Sequence, residues 1–328
     1  MSTENSLSEL NGYNRLVKYY EKFKHKNWNK WLKFDSVFDK PGKQGLVGLL
    51  KSSRDFKKDT EENEDTEVKY VFKISQYINY LTRHESVVME GLNQISPFCP
   101  HFCRSVGLIN CLVDPKSRKT GNPFDLQIKY PIQKEVLLCE YINNSVKFYN
   151  YIRAVDKIPE SVLYSTIKQV LMALGIAQQQ KRFTHYDLHS FNIMMKRCNR
   201  DVVFLYVLDH QVQVAVPTHG HYPVIIDFGF SYIEDMEDAP LWPSMGHTDV
   251  GFMSDRFDQY ADPKLFLISV SDELKDKRGT EQACKFRHVV RNMFYPITVD
   301  WSSGWDTPLE QSASDFISEI INEYNPGS

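Results

Sequence analysis

Three side chains stand out for what they could do together. Asp187 and Asn192 lie five positions apart in Thr184-His185-Tyr186-Asp187-Leu188-His189-Ser190-Phe191-Asn192-Ile193, after a helical pattern and before a short strand-like run. Thirty-five residues beyond Asn192, the apolar run Val224-Ile225-Ile226 ends in Asp227-Phe228-Gly229. Transfer of a phosphoryl group from a nucleotide needs a carboxylate beside the attacking hydroxyl and hard oxygen ligands for magnesium. Asp187, Asn192 and Asp227 supply that set. A hydrolytic triad of Ser190, His185 and Asp187 is the competing arrangement. No nucleophile-elbow sequence surrounds Ser190, and Asp227-Phe228-Gly229 would then have no task.

Periodicity outlines the elements that must hold these residues. Residues 1–35 read as a basic, aromatic helical stretch, with Tyr13, Leu16, Tyr19, Tyr20, Phe23, Trp28, Trp31 and Leu32 recurring every three or four positions. A turn-rich stretch at 41–51 and an acid-rich loop at 52–67 follow. Residues 68–74 alternate like a strand. Residues 75–95 read as an amphipathic helix stopped by Pro97 and Pro100. Strands are predicted at 106–113 and 135–142, then a helix at 159–180 opened by Pro159. Short strands are predicted at 193–195, 202–208, 212–216 and 224–226. Helices are predicted around 264–275, 280–294 and 307–323. The front of the chain is therefore mostly β and the rear mostly α.

With these motifs in this order, the sequence resembles the protein kinase-like superfamily, whose catalytic loop H-R-D-L-x-x-x-N precedes a D-F-G. The resemblance runs from about Phe38 to Val270. It implies an α+β, bilobal kinase fold: a helical extension at 1–35, an N-lobe at 36–142 and a C-lobe at 143–328. It implies ATP and Mg²⁺ as cofactors, with Asn192 and Asp227 as metal ligands and Asp187 as the residue that orients the acceptor hydroxyl. Gly45-Leu46-Val47-Gly48 matches the second and third glycines of the phosphate-covering loop, Lys43 replacing the first with Gly42 beside it. Lys73, in Val71-Phe72-Lys73, matches the strand lysine that contacts the nucleotide phosphates. Glu90, 17 residues on, is preferred over Glu85 as its ion-pair partner. Glu140-Tyr141-Ile142 resembles the hinge whose backbone receives adenine.

The departures narrow the resemblance. His189 stands where protein kinases usually carry a lysine two residues after the aspartate. A D-L-H-x-x-N loop is similar to haspin-like kinases and also to aminoglycoside and choline kinases. A long, strand-rich insertion with His219, Gly220 and His221 is similar to the haspin branch. No A-P-E closes the segment after Asp227, and Asp262 is matched to the aspartate that braces the catalytic loop. Tyr186, in place of arginine, cannot pair with a phosphate on that segment. The segment is expected to be held instead by Phe230, Leu241 and Trp242, so that Ser231, Tyr232, Ser244, Thr248 and Ser254 need no phosphorylation. These features imply an atypical Ser/Thr protein kinase of viral or bacterial-effector type with a protein substrate. A small-molecule kinase and a non-catalytic pseudokinase module remain open.

Composition excludes other classes. The 328 residues are 42% hydrophobic and 25% charged, ordinary for a globular protein. A formal charge of −3 offers no global positive field for nucleic acid. No apolar run approaches the ~20 residues that span a bilayer, and the first residues lack a secretory profile. Six cysteines suit free thiols in a reducing, cytoplasmic setting. Cys99-Pro100-His101-Phe102-Cys103 has no clear second pair to complete a zinc site, and buried thiols are the plainer reading.

Overall fold

A computed structural model describes residues 3–38, 45–53, 67–75, 79–114, 124, 128–154, 159–208, 212–236, 247–248, 251–252, 256–277 and 280–293. The chain is α+β and divides into two compact units, residues 1–98 with 103–142, and residues 99–102 with 143–328. The turn at 39–44 with Gly42 and Lys43, most of the acidic loop, residues 121–123, Leu241, Trp242, Ser244, Ser254 and the helix expected at 307–323 lie outside the described residues.

The first unit opens with α1 (Thr3–Phe23) and the single turn α2 (Trp28–Trp31). The chain then leaves the helical state at Leu32, so the helix expected through residue 35 is corrected: β1 (Leu32–Val37) begins there. Alternating burial, with Leu32 inward and Lys33 outward, outweighs the helical spacing of the aromatics. The strands β2 (Gly45–Ser52), β3 (Lys69–Ser75), β4 (Ser105–Val113) and β5 (Ile132–Glu140) complete an antiparallel sheet of order β1-β2-β3-β5-β4. The helix α3 (Asn79–Asn93) packs on β3, β4 and β5.

An aromatic core holds the sheet to α1. Trp31, Tyr70, Phe72 and Phe23 are fully buried, each contributing on the order of 2–3 kcal/mol. Tyr20 donates to the Leu108 carbonyl at 2.8 Å and Tyr70 to that of Leu16 at 2.9 Å. Gly107 lies at a bulge in β4 with φ +154°, and a Cβ there would enter the Tyr20 ring. Only glycine allows that approach.

The second unit contains β6 (Ser145–Lys147), α4 (Phe148–Ala154), α5 (Glu160–Lys181), β7 (Ile193–Arg197), β8 (Val203–Leu208), β9 (Val212–Pro217), β10 (His221–Ile225), α6 (Ala261–Glu273) and α7 (Glu281–Met293). Pro159 caps α5 at its N-terminus. β10, β7 and β6 form one small antiparallel sheet, and β8 pairs with β9 as a separate hairpin. Both ring nitrogens of His101 are engaged in this unit, Nδ1 with the Pro223 carbonyl and Nε2 with the Tyr206 hydroxyl, each at 2.8 Å. Burial pushes its pKa down to about 4. His101 is thus a core residue, with no nitrogen left for zinc, and Cys99, Cys103 and Cys111 are buried free thiols.

Candidate active site

In the first unit the site grows from β3. Its alternation turns Tyr70, Phe72 and Ile74 into the core and Lys73 to the opposite face. Lys73 Nζ lies 2.5 Å from Glu85 Oε1, with the two side chains only 19% and 8% exposed. The expected partner, Glu90, is corrected: it is exposed and accepts a hydrogen bond from the Ser86 hydroxyl one turn before it, at 2.9 Å. The reason is helical phase. Glu85 shares its stripe with Val88, Met89 and Leu92, which are buried, whereas five residues carry Glu90 some 140° round the helix.

Gly45, Val47 and Gly48, expected on a loop, lie in β2. Val47 is directly opposite Lys73, so their side chains share a face, and Gly45 shares that phase. Gly48 is opposite Phe72 and belongs to the core face, where a Cβ would strike the Phe72 ring and the Ser36 carbonyl. Its lack of a side chain is thereby explained by packing.

Glu140 ends β5 with its carboxylate gripped by Arg104: Nη2 to Oε2 at 2.6 Å, Nε to Oε1 at 3.0 Å, and the Arg104 backbone N–H to Oε1 at 2.9 Å. Its own N–H donates to the Arg104 carbonyl at 3.0 Å. Its side chain and N–H are thus engaged within the unit. Tyr141 and Ile142 follow, half-buried and outside regular structure. Arg104 is held in turn by the Tyr13 ring of α1, 4.1 Å from the guanidinium.

The second unit brings together the residues of the Asp187–Asn192 loop. Asn192 Nδ2 donates to the Asp187 carbonyl at 2.9 Å and to its Oδ2 at 3.1 Å. The Ile226 N–H donates to the Asn192 carbonyl at 2.9 Å, tying the residue before Asp227 to this loop. His185 crosses between the two segments: Nε2 meets the Ile226 carbonyl at 3.0 Å, and Nδ1 accepts the Asp187 N–H at 3.3 Å. Those partners require the neutral imidazole with its proton on Nε2, and burial depresses the His185 pKa in the same sense.

Two non-glycine residues here have left-handed backbones, Tyr186 at φ 63° and Asp227 at φ 68°. Such conformations cost about 1–3 kcal/mol each and persist where surrounding structure enforces them. Asp262 supplies part of that enforcement. It is fully buried, and its two carboxylate oxygens accept the N–H groups of His185 at 2.6 Å and Tyr186 at 2.9 Å. Burial pushes its pKa up to about 7 against the opposing effect of these bonds. Phe228 is buried against Phe183, Phe102 and His185, anchoring the segment that carries Asp227. Tyr186 donates its hydroxyl to the Arg256 carbonyl and packs with Tyr232, Ala261, Phe230 and Phe257.

His189 Nε2 lies 3.4 Å from Asp187 Oδ1. Burial opposes its protonation, but the hydrogen bond and charge of Asp187, aided by Asp227 and Glu273, raise its pKa above the ordinary imidazole value. Ser190 donates to Glu273, whose pKa is pushed up to about 7 by burial. Ser190 is thus a tether for the loop. Glu273 has no local sequence signal, because it stands 83 residues away on α6; Glu85 did have one, in its apolar stripe.

No family model matches the chain. It is 29% identical over 339 residues to uncharacterized protein 098R of Invertebrate iridescent virus 6, covering 86% of this chain and 55% of that protein. It is 28% identical to uncharacterized protein 038R of Invertebrate iridescent virus 3, over 89% of this chain and 57% of that protein. It is also 26% identical to probable kinase 098L of Invertebrate iridescent virus 3, over 91% of this chain and 51% of that protein. The chain spans about half the length of the curated relatives it matches. No helix among the described residues is long and apolar enough to cross a membrane.

Proposed function

We propose that this chain is an ATP-dependent phosphotransferase, a Ser/Thr protein kinase that transfers the γ-phosphoryl group to a protein hydroxyl. The observation that carries the reading is the pair Asp187 and Asn192. With Asn192 Nδ2 donating to Asp187, the amide oxygen is the atom left for a cation, and the carboxylate is held ready for a hydroxyl. The similarity to a protein named probable kinase supports the same class.

The donor set suits magnesium. Among the described residues no three His, Cys, Asp or Glu side chains gather into a metal cage. One carboxylate and one amide oxygen, from Asp227 and Asn192, fit an ion that keeps waters and substrate phosphates in its shell. Bound there, Mg²⁺ would offset the charge of the transferring phosphoryl group. Asp187 orients the acceptor hydroxyl and accepts its proton. Lys73, fixed by Glu85, contacts the α- and β-phosphates, and Gly45 and Val47 border it on the same face of the sheet. Tyr141 and Ile142 offer backbone groups to adenine. His189, protonated, places a positive charge beside the reacting oxygens.

The test is incubation of the chain with labelled ATP and Mg²⁺, with a protein mixture and with a panel of small hydroxylic metabolites. Label in protein is expected, with Asp227→Ala losing about 10³-fold or more of the rate while keeping its melting temperature. Label only in metabolites would replace the reading with a small-molecule kinase. Full activity in a well-folded Asp227→Ala protein would overturn the catalytic assignment.

A further inference from the structure

Phe191 is 40% exposed although Ser190 and Asn192 on either side of it are buried. Its ring stacks on Tyr149 of α4, centroids 3.8 Å apart and planes 22° from parallel. Lys147 Nζ, at the end of β6, lies 5.9 Å from the Phe191 centroid. The Arg153 guanidinium, one helical turn beyond Tyr149, lies 4.9 Å from the Tyr149 centroid. A cation is thus associated with each member of a stacked aromatic pair. Val146, also exposed, adjoins Lys147 on β6.

We propose that this cluster of Lys147, Phe191, Tyr149 and Arg153 recognises an acidic segment of the protein substrate next to the acceptor hydroxyl. The inference rests on the protein-kinase reading and adds the substrate's charge to it. Position is the first argument. The Phe191 ring lies 5.8 Å from the His189 ring, and His189 Nε2 is 3.4 Å from Asp187. At ~3.3 Å per extended residue, a peptide with its hydroxyl at Asp187 reaches Phe191 within about three residues.

Charge is the second argument. Lys147 makes no ion pair with a carboxylate among the described residues. Arg153 has one, to Asp276 at 3.1 Å, between side chains that are both mostly in solvent. An exposed pair of that kind is weak and is readily exchanged for an incoming carboxylate. Both cations are steered by aromatic faces, so their charge is presented in fixed places while the rings take the apolar stems of the substrate. A basic segment would meet like charge at both ends of the cluster.

The experiment uses the full chain with Mg²⁺-ATP and three synthetic peptides that share one serine and differ only in flanking Glu, Ala or Lys residues. The acidic peptide is expected to have a kcat/KM about fivefold above the alanine peptide at moderate salt, a gain two exposed ion pairs can supply. Lys147→Glu/Arg153→Glu should erase that gain, so that the acidic peptide is turned over no faster than the alanine peptide. A parallel measurement follows fluorescence anisotropy of a labelled acidic peptide with alanine in place of serine. Equal rates on acidic and alanine peptides, or an acidic preference surviving in the double variant, would overturn the inference while leaving the kinase reading intact. If no peptide is phosphorylated, the protein-kinase reading fails. Anisotropy then decides the surface: no binding, or binding unchanged in the double variant, overturns it as well. Binding abolished by the charge reversals supports it as an acidic-segment site.

Discussion

Glu85 reaches Lys73 from the buried stripe of α3, whereas Glu90, on the same helix, is spent on Ser86. Glu85→Gln removes the charge that fixes the lysine, and the phosphotransfer rate should fall by about 10²-fold or more with ATP saturating. Glu90→Gln should leave the rate within twofold of the parent. Steady-state kinetics on the two variants checks the assignment; equal losses would contradict it.

Asp262 makes stability depend on pH in a particular direction. Its carboxyl has a pKa of about 7 in the folded chain, against about 3.9 when unfolded, so the folded state holds the extra proton between those values. Stability from this group is fully present below about pH 4 and is lost as pH rises towards 7. Asp262→Asn removes that slope and leaves one buried N–H without its acceptor, a cost of about 1–3 kcal/mol. Urea denaturation should therefore show the variant's deficit largest near pH 4.5 and shrinking by pH 8. A deficit that is the same at every pH would refute this account.

His189 should impose a fall in rate on the alkaline side of neutrality. Its raised pKa keeps the imidazolium populated above the ordinary imidazole value, and deprotonation removes a positive charge from beside Asp187. A rate profile from pH 6 to 9 should decline in the parent and stay level over the same range in His189→Lys. Superimposable profiles would reduce His189 to a packing residue.

Gly107→Ala should be among the more damaging small substitutions in the first unit. The new methyl must displace the Tyr20 ring and accept φ +154°, a cost of about 2 kcal/mol or more. Tyr20→Ala removes the ring, so the double variant should lose less stability than the two single losses added. Thermal unfolding of the four proteins closes the cycle.

What the sequence made legible was local. Asp187 and Asn192 are linked through a single loop, so their five-residue spacing carried their relation. The strand β3 is announced by alternation, and β4, β5, β7, β8 and β9 fall on expected strand runs, whereas β10 begins at His221, three residues ahead of the expected run. Glu85 pairs with Lys73 because of its phase around α3, which the apolar stripe of Val88, Met89 and Leu92 carries and position along the helix does not. The packing reason for Gly48 has no local trace, because its neighbour Phe72 lies 24 residues away, on another strand. The grip of Arg104 on Glu140 and of Glu273 on Ser190 left no trace in spacing, since each joins elements whose meeting depends on the assembled fold.

The bonding of α1 fixes where a usable fragment of this protein must begin. Tyr13 donates to the Ser105 carbonyl at 2.5 Å and also receives the side-chain amide of Asn93, while Tyr20 and Tyr70 stitch the same helix to β4 and β3. A boundary drawn at the first strand would delete Phe23 and Trp31 and strip the cover from Tyr70, leaving a sticky aromatic face on the sheet. Expression trials should therefore retain the part of α1 from Tyr13 onward. Shorter versions are expected to come out insoluble, and their inactivity would say nothing about Lys73 or Asp187.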